Sequence, residues 1–280
     1  MAIILDGKKL RDKILDDLKN KVAVLVGTPK LVVISVGDDA ASKIYVNNKK
    51  KYAEKIGIAA EIVEYPQSVS QEVLLKEIAR LNNDSKVTAI LVQFPLPEHI
   101  DKLKILTAIA PRKDVDGFTP YNSGLLFSGA KPFAYPATPR GILRLLDEYN
   151  IEIEGQHVVI VGRSNIVGKP LAQMMLNRNA TVTVCHSHTK NLADITKTAD
   201  ILVSAAGGKI IEDNMIKSNC VVVDVGIFRD EQGKLRGDVN FETVSKIASH
   251  ITPVPGGVGP MTIASLMLNI VDLFENSGKS

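Results

Sequence analysis

Strand-like and helical segments alternate along nearly all of the 280 residues, and this predicts an α/β protein with parallel sheets. The length predicts two domains, because 280 residues are long for a single core and comfortable for two. A third observation lies in the second half. Val158–Val161 is a short apolar, mostly β-branched run that enters a turn bounded by Gly162 and Gly168, and a helical spacing of Leu171, Met174 and Met175 follows. That pattern predicts a buried parallel strand feeding a helix N-terminus, where free N–H groups and the helix dipole favour a phosphate. The spacing is Gly-x5-Gly, not the tighter Gly-x-Gly-x2-Gly fingerprint, so on its own the turn is a weak signal.

Composition narrows the function classes. With 45% hydrophobic and 23% charged residues the chain is an ordinary globular one, and no apolar run approaches the ~20 residues of a membrane helix. Residues 1–6 lack a basic stretch ahead of an apolar one, so a secretory signal is not expected. Cys185 and Cys220 both lie in strand-like runs and read as core thiols of a reducing cytoplasm. A net charge of +3 from scattered basic residues suits a small anionic ligand at most, and neither nucleic acid nor membrane is an expected partner.

In the first half, Asp6 is placed to cap an amphipathic helix through Leu10, Ile14, Leu15 and Leu18. Leu31–Val36 reads as a buried strand, Gly37–Asp39 as a turn, and Ser42 as the cap of a helix that stops at Gly57. Strands follow at Ile58–Glu64 and Thr88–Val92, with a helix at Gln71–Leu81 between them. Tyr45 and Lys49, four apart, share a helix face, while Lys50 and Lys51 turn away to solvent. By default Lys49 is surface as well. Gln93 stands at the carboxyl end of a strand, the edge where open α/β sheets bind ligands. In Asp114-Val-Asp-Gly117, alternation would send both carboxylates the same way. A metal site there lacks a third ligand nearby, and turn and cap roles are the plainer reading.

In the second half, Thr138–Pro139 reads as a cap with proline at the first helical position, opening a helix over Arg140–Tyr149. A compact unit follows: strand to Val161, helix to Arg178, strand Thr181–Cys185, helix near Asn191–Lys197, then strands at Ile201–Ser204, Val221–Val225 and near Ile251. The second strand ends in His186-Ser-His-Thr-Lys190, with no acid for a ribose 2′-hydroxyl. A carboxylate would repel a 2′-phosphate, whereas hydroxyls together with Arg163 would bind it, which points to NADP. The two histidines lack a visible third metal ligand. Bare backbone at Ala205–Gly208 and at Asp224–Ile227 would let a flat cofactor approach. The stiff run Thr252–Thr262 reads as a loop before a final helix through Leu266, Ile270 and Phe274.

Six stretches together resemble the methylenetetrahydrofolate dehydrogenase/cyclohydrolase family: Tyr45–Lys49, Val92–Pro97, Asp114–Gly117, Gly162–Pro170, Cys185–Ser187 and Pro253–Thr262. They occur in the family's order from end to end. The resemblance implies two α/β domains, a folate-binding catalytic domain of residues 1–137 plus 260–280 and a Rossmann-type NADP-binding domain of residues 138–259. It further implies a folate cleft between them, a last helix returning to the first domain, and a homodimer. Two reactions are implied: NADP-dependent oxidation of 5,10-methylenetetrahydrofolate to the methenyl form, and its hydrolysis to 10-formyltetrahydrofolate, on folates that carry one or more glutamates.

Carried over residue by residue, the resemblance makes Lys49 the catalytic lysine, Gln93 its hydrogen-bonding partner and Asp116 the pterin ligand. Tyr45 would stack on the folate, and Gly257 and Pro260 would also touch it. Gly162, Arg163, Ser164, Ile166, Gly168, Ser187 and Ile227 would hold NADP, with Arg163 and Ser187 on the 2′-phosphate; no metal is implied. Two positions depart from the family. Leu125 follows Asn122-Ser-Gly124 where many relatives have arginine, and Ala137 stands where relatives often have cysteine.

Overall fold

The computed structural model describes residues 1–208 and 210–277. Its elements run β1 (Ile3–Ile4), α1 (Gly7–Ala23), β2 (Lys30–Val36), α2 (Ala40–Lys55), β3 (Ala59–Tyr65), α3 (Gln71–Asn83) and β4 (Ala89–Val92). Helices α4 (Lys102–Ala108), α5 (Pro120–Phe127) and α6 (Ala137–Glu148) follow. Then come β5 (His157–Val161), α7 (Gly168–Leu176), β6 (Thr181–Cys185), α8 (Leu192–Thr196), β7 (Ile201–Ser204) and β8 (Val221–Asp224). The chain closes with the hairpin β9 (Phe228–Arg229) and β10 (Leu235–Arg236), α9 (Phe241–Val244), β11 (His250–Ile251) and α10 (Val258–Ser277).

Two compact units result. One comprises Lys13–Ala137 with Ile263–Ser280, the other Met1–Asp12 with Thr138–Thr262. Compared with the domain expected at 138–259, this unit also takes in residues 1–12 and 260–262. Residues 1–12 join it through β1, a two-residue strand too short to show in the hydrophobic pattern, which pairs in parallel with β11 through Ile3–His250 and Ile4–Ile251. The last three positions of the expected folate domain lie outside the described residues.

In the first unit, β2 lies between β3 and β4, all parallel, with Leu31–Ile34 fully buried. Burial on both faces explains why β2 reads as a continuous apolar run. On one face Val32, Ile34 and Val92 pack with Leu74 and Ile78 of α3 and Ile105 of α4. On the other, Leu31, Val33 and Leu91 pack with Leu15, Leu18, Val46 and, among the buried residues of α10, Leu266, Met267, Ile270 and Val271. Each of those four stabilises the unit by about 1.5–3 kcal/mol on burial. At 20 residues and mean hydropathy 1.3, α10 does reach the length of a membrane helix, contrary to the expectation from sequence. Those four residues are almost wholly covered by protein, so α10 acts here as a core helix.

Helix starts need two corrections. The cap of α2 is Asp39, whose carboxylate accepts from the Ser42 N–H at 2.7 Å, so the expected capping residue is a donor inside the first turn. Helix α6 begins at Ala137, and the Thr138 hydroxyl bonds to the Thr262 hydroxyl at 2.9 Å instead of capping. Asp6 does cap α1, accepting from Lys9 N–H at 2.9 Å. Helix α5, unforeseen, is short and weakly amphipathic, with Thr119 as cap and Pro120 at its first position.

The second unit carries a parallel sheet in the order β1-β11-β8-β7-β5-β6. Strand β5 is flanked by β6 on one side and β7 on the other, so the winding reverses there, and the turn after β5 sits at the switch point of a Rossmann-type sheet. Cys185 and Cys220 are both buried free thiols.

Candidate active site and nucleotide site

In the first unit three elements converge. Helix α2 supplies Lys49, the segment after β4 supplies Gln93, and the turn after the single Ile90–Asp114 bridge supplies Asp116. The Lys49 ammonium donates to Gln93 Oε1 at 2.9 Å. Gln93 is itself fixed, because its Nε2 donates to the Phe94 carbonyl at 2.7 Å, which turns the acceptor end of the amide to the lysine. Burial lowers the Lys49 pKa, and the nearby Asp116 charge opposes that shift. Asp116 is pushed up to about 6, chiefly by burial, with Lys49 opposing and Asp114 adding to the shift. Burial works against the charged form of both groups, the direction that favours proton transfer.

The two carboxylates of the aspartate motif serve different ends. Asp114, 2% exposed, accepts from the N–H groups of Gly117 at 3.0 Å and Thr119 at 2.8 Å and from Asn122 Nδ2 at 2.9 Å, which ties the turn together. Asp116 receives no such bonds among the described residues and stays available. Tyr45, one turn before Lys49, is 53% exposed, and Lys50 faces Glu54 on the surface.

In the second unit, Gly162 (φ +127°) and Gly168 close the turn after β5. A Cβ on Gly162 would strike the Ala205 backbone, and one on Gly168 would strike the Gly162 carbonyl, so only glycine permits this approach. The Ser164 hydroxyl accepts from Val167 N–H at 3.1 Å and Gly168 N–H at 3.4 Å. Ser164 thus satisfies two donors just ahead of and at the start of α7 that the phosphate reading of this turn left free. The register Val161↔Cys185 sets Arg163 and Ser187 each two residues past the paired ends of β5 and β6, and both are exposed. Ile166 and Ile227 hold apolar side chains in solvent, 43% and 49% exposed, beyond the ends of β5 and β8. Gly257 and Pro260 also belong to this unit; Gly257 donates to the Pro253 carbonyl at 2.8 Å, and Pro260 lies in the first turn of α10. The stiff run therefore ends at Gly257, earlier than its composition suggests. Two of its features are invisible in sequence: the Val254–Pro255 peptide is cis, as is Phe94–Pro95 in the first unit.

Comparison with known proteins decides the family. The catalytic-domain model described as tetrahydrofolate dehydrogenase/cyclohydrolase matches residues 5–116, and the NAD(P)-binding-domain model of the same description matches residues 136–278. The chain belongs to the tetrahydrofolate dehydrogenase/cyclohydrolase family. It is 53% identical to the bifunctional protein FolD of Ligilactobacillus salivarius, over 99% of this chain and 98% of that one. Among solved structures it is similar to the bifunctional FolD enzyme of Campylobacter jejuni, with TM-score 0.98, 48% identity, and coverage of 99% of this chain and 100% of that one. It is also similar to the Trypanosoma brucei enzyme solved with NADP cofactor and an inhibitor, with TM-score 0.95, 39% identity, and coverage of 100% and 99%.

Some residues that build this family member's sites escaped the sequence reading. Asp238 is fully buried, and its carboxylate accepts from Ser204 Oγ at 2.9 Å and from the N–H groups of Ala206 at 2.7 Å, Gly207 at 3.3 Å and Gly208 at 2.8 Å. It thereby shapes the loop after β7. Its neighbour Asp224 accepts from Gly226, Asp238 and Val239 N–H groups at 2.9–3.0 Å. Gly226 and Gly237 make room for this pair, each lying where a Cβ would meet the other segment's aspartate. Asn269 of α10, fully buried, donates to the carbonyls of Val115 and Tyr135, both at 2.7 Å, and so pins the backbone beside Asp116. An aspartate between Gly237 and Val239 was one available signal; an asparagine in an apolar helix was another. Both are buried polar groups that need partners.

Proposed function

We infer that this protein oxidises 5,10-methylenetetrahydrofolate to 5,10-methenyltetrahydrofolate with NADP+ and hydrolyses the product to 10-formyltetrahydrofolate. The observation that carries the reading is the Lys49–Gln93–Asp116 cluster, a lysine of lowered pKa held by a neutral amide beside an aspartate of raised pKa. The nucleotide unit fits NADP by its own features. Glycines bring the backbone close at the switch point, two exposed donors stand at adjacent strand ends, and no acid opposes a 2′-phosphate.

Each role follows from the chemistry of the group. Asp116 accepts paired N–H bonds from the pterin amino group and ring nitrogen, and this orients the folate. Tyr45 offers an exposed ring for stacking against the folate's aromatic portion. Gln93 holds the Lys49 amine without adding a negative charge that would keep it protonated. Neutral Lys49 then takes a proton from water as it attacks the methenyl carbon and returns one to the folate nitrogen as the ring opens. NADP+, when bound, supplies the carbon that accepts the hydride. Arg163 and Ser187 select the 2′-phosphate, and Gly162, Ser164, Ile166, Gly168 and Ile227 line the cofactor. Gly257 and Pro260 contribute to the folate site. In this reading residues 13–137 with the body of α10 form the folate-binding catalytic domain, and the protein works as a cytoplasmic homodimer, on folates that include polyglutamylated forms.

The test separates three readings. Wild type is expected to hydrolyse methenyltetrahydrofolate without nicotinamide and to reduce NADP+ in preference to NAD+. Lys49→Met is expected to abolish hydrolysis while retaining the wild-type fold and NADP affinity. Background hydrolysis by wild type would leave only a dehydrogenase, and normal hydrolysis by Lys49→Met would remove the lysine from the chemistry.

A further inference from the structure

The first unit holds a concavity that the folate chemistry does not use. It measures about 630 Å3 and opens where the parallel strands begin, at Lys30 of β2, Ala59 of β3 and Thr88 just before β4. Gln93 follows the other end of β4, five residues on, so the two places are about 16 Å apart along the sheet. Its apolar wall is Val87, Phe133, Leu273 and Phe274. Four cations, Lys30, Lys86, Arg112 and Lys113, also line it, and among the described residues no carboxylate does. Two of the cations are engaged: Lys30 pairs with Glu61 at 2.7 Å, and Lys113 donates to the carbonyls of Leu81 and Asp84. Lys86 and Arg112 have no carboxylate partner among the described residues. The Arg112 guanidinium lies 4.7 Å from the Phe133 ring centroid, which presents charge and an aromatic face together. A volume of this size matches small-molecule pockets, and an apolar wall with a few convergent polar groups is their usual lining.

We propose that this cavity is a binding site for a small amphiphilic anion, with a ring body against Phe133 and Phe274 and a carboxylate, sulfonate or phosphate met by Lys86 and Arg112. The neutral hydroxyl and amide groups of Thr28, Ser85 and Asn276 complete a rim that accommodates polar substituents. The proposal is independent of the folate reading, because none of these residues belongs to the Lys49 cluster.

The probe is 8-anilino-1-naphthalenesulfonate, titrated by fluorescence into full-length protein saturated with NADP so that the nucleotide site is blocked. Saturable enhancement is expected, and Lys86→Gln with Arg112→Gln should weaken it about tenfold. The uncharged analogue N-phenyl-1-naphthylamine should bind both proteins alike. Ala59→Trp, at an exposed strand start, should abolish binding of both dyes with the thermal midpoint unchanged, which keeps the test decisive if the charge variant folds poorly. Absence of saturable binding under NADP, or binding that ignores both changes, would overturn the proposal.

Discussion

Asp238→Asn tests whether one buried carboxylate organises the strand ends of the nucleotide unit. Oδ2 of Asp238 accepts three donors, Ser204 Oγ and the N–H groups of Ala206 and Gly207, while Oδ1 accepts Gly208 N–H at 2.8 Å. If the asparagine oxygen takes the Oδ2 place, three bonds survive but become neutral. The amide NH2 then faces Gly208 N–H, donor against donor. Losing a buried hydrogen bond to a charged group costs about 1.5–3 kcal/mol, and weakening of the other three adds to it. Some is returned, because Asp224 no longer sits beside a like charge. Its carboxyl is pushed up to about 6, mainly by burial, and the Asp238 charge contributes. A net loss of about 2–3 kcal/mol lowers the thermal midpoint by roughly 5–10 °C. Because residues 205–208 are the loop released, KM for NADP should rise while hydrolysis of methenyltetrahydrofolate without nicotinamide is retained below the new midpoint. Circular dichroism melts and the two activity assays read these effects. A midpoint within 1 °C of wild type and an unchanged KM would refute the assignment of Asp238 as the organiser of that loop.

Other outcomes follow from the same geometry. Arg163→Ala should raise KM for NADP at least tenfold and leave KM for NAD nearly unchanged, since only the 2′-phosphate differs; equal losses would detach Arg163 from that phosphate. Asn269→Leu leaves the Val115 and Tyr135 carbonyls without their buried donor, a cost of about 2–5 kcal/mol, and should raise KM for methylenetetrahydrofolate more than KM for NADP. A variant of wild-type stability would contradict this. Stability should also rise on mild acidification. The Asp224 carboxyl has a folded pKa of about 6 against an ordinary value of 3.8, so the folded state binds its proton more tightly. Its ionisation therefore destabilises the fold above pH 6, by about 3 kcal/mol, and the penalty is relieved as pH falls from 6 toward 4. Asp116 acts in the same direction. Denaturant unfolding of wild type and Asp224→Asn at pH 5 and pH 7.5 checks this; equal pH dependence in both would show that Asp224 is not the source.

Periodicity and punctuation in the chain determined the alternating elements, because a strand buried on both faces must be apolar throughout and a helix must carry a stripe. Lys30–Val36, Ala89–Val92 and His157–Val161 are legible for that reason. The glycine turn was legible too, since no other residue fits at Gly162 or Gly168. Residue type alone also suggested what Lys49, Gln93, Asp116 and Arg163 could do, once the family's motifs correlated them. What only the tertiary structure decided is where long-range partners meet. Strand β1 exists because β11, some 247 residues away, offers it an edge. Asp114 and Asp116 look equivalent in sequence, yet one is consumed by the turn and the other is left beside Lys49, because the local chain supplies donors to only one. The local signals at Asp238 and Asn269 name no partner, because their partners lie 30–34 and 134–154 residues away. A buried polar side chain takes its meaning from the donors and acceptors that burial brings to it, and those are set by the fold.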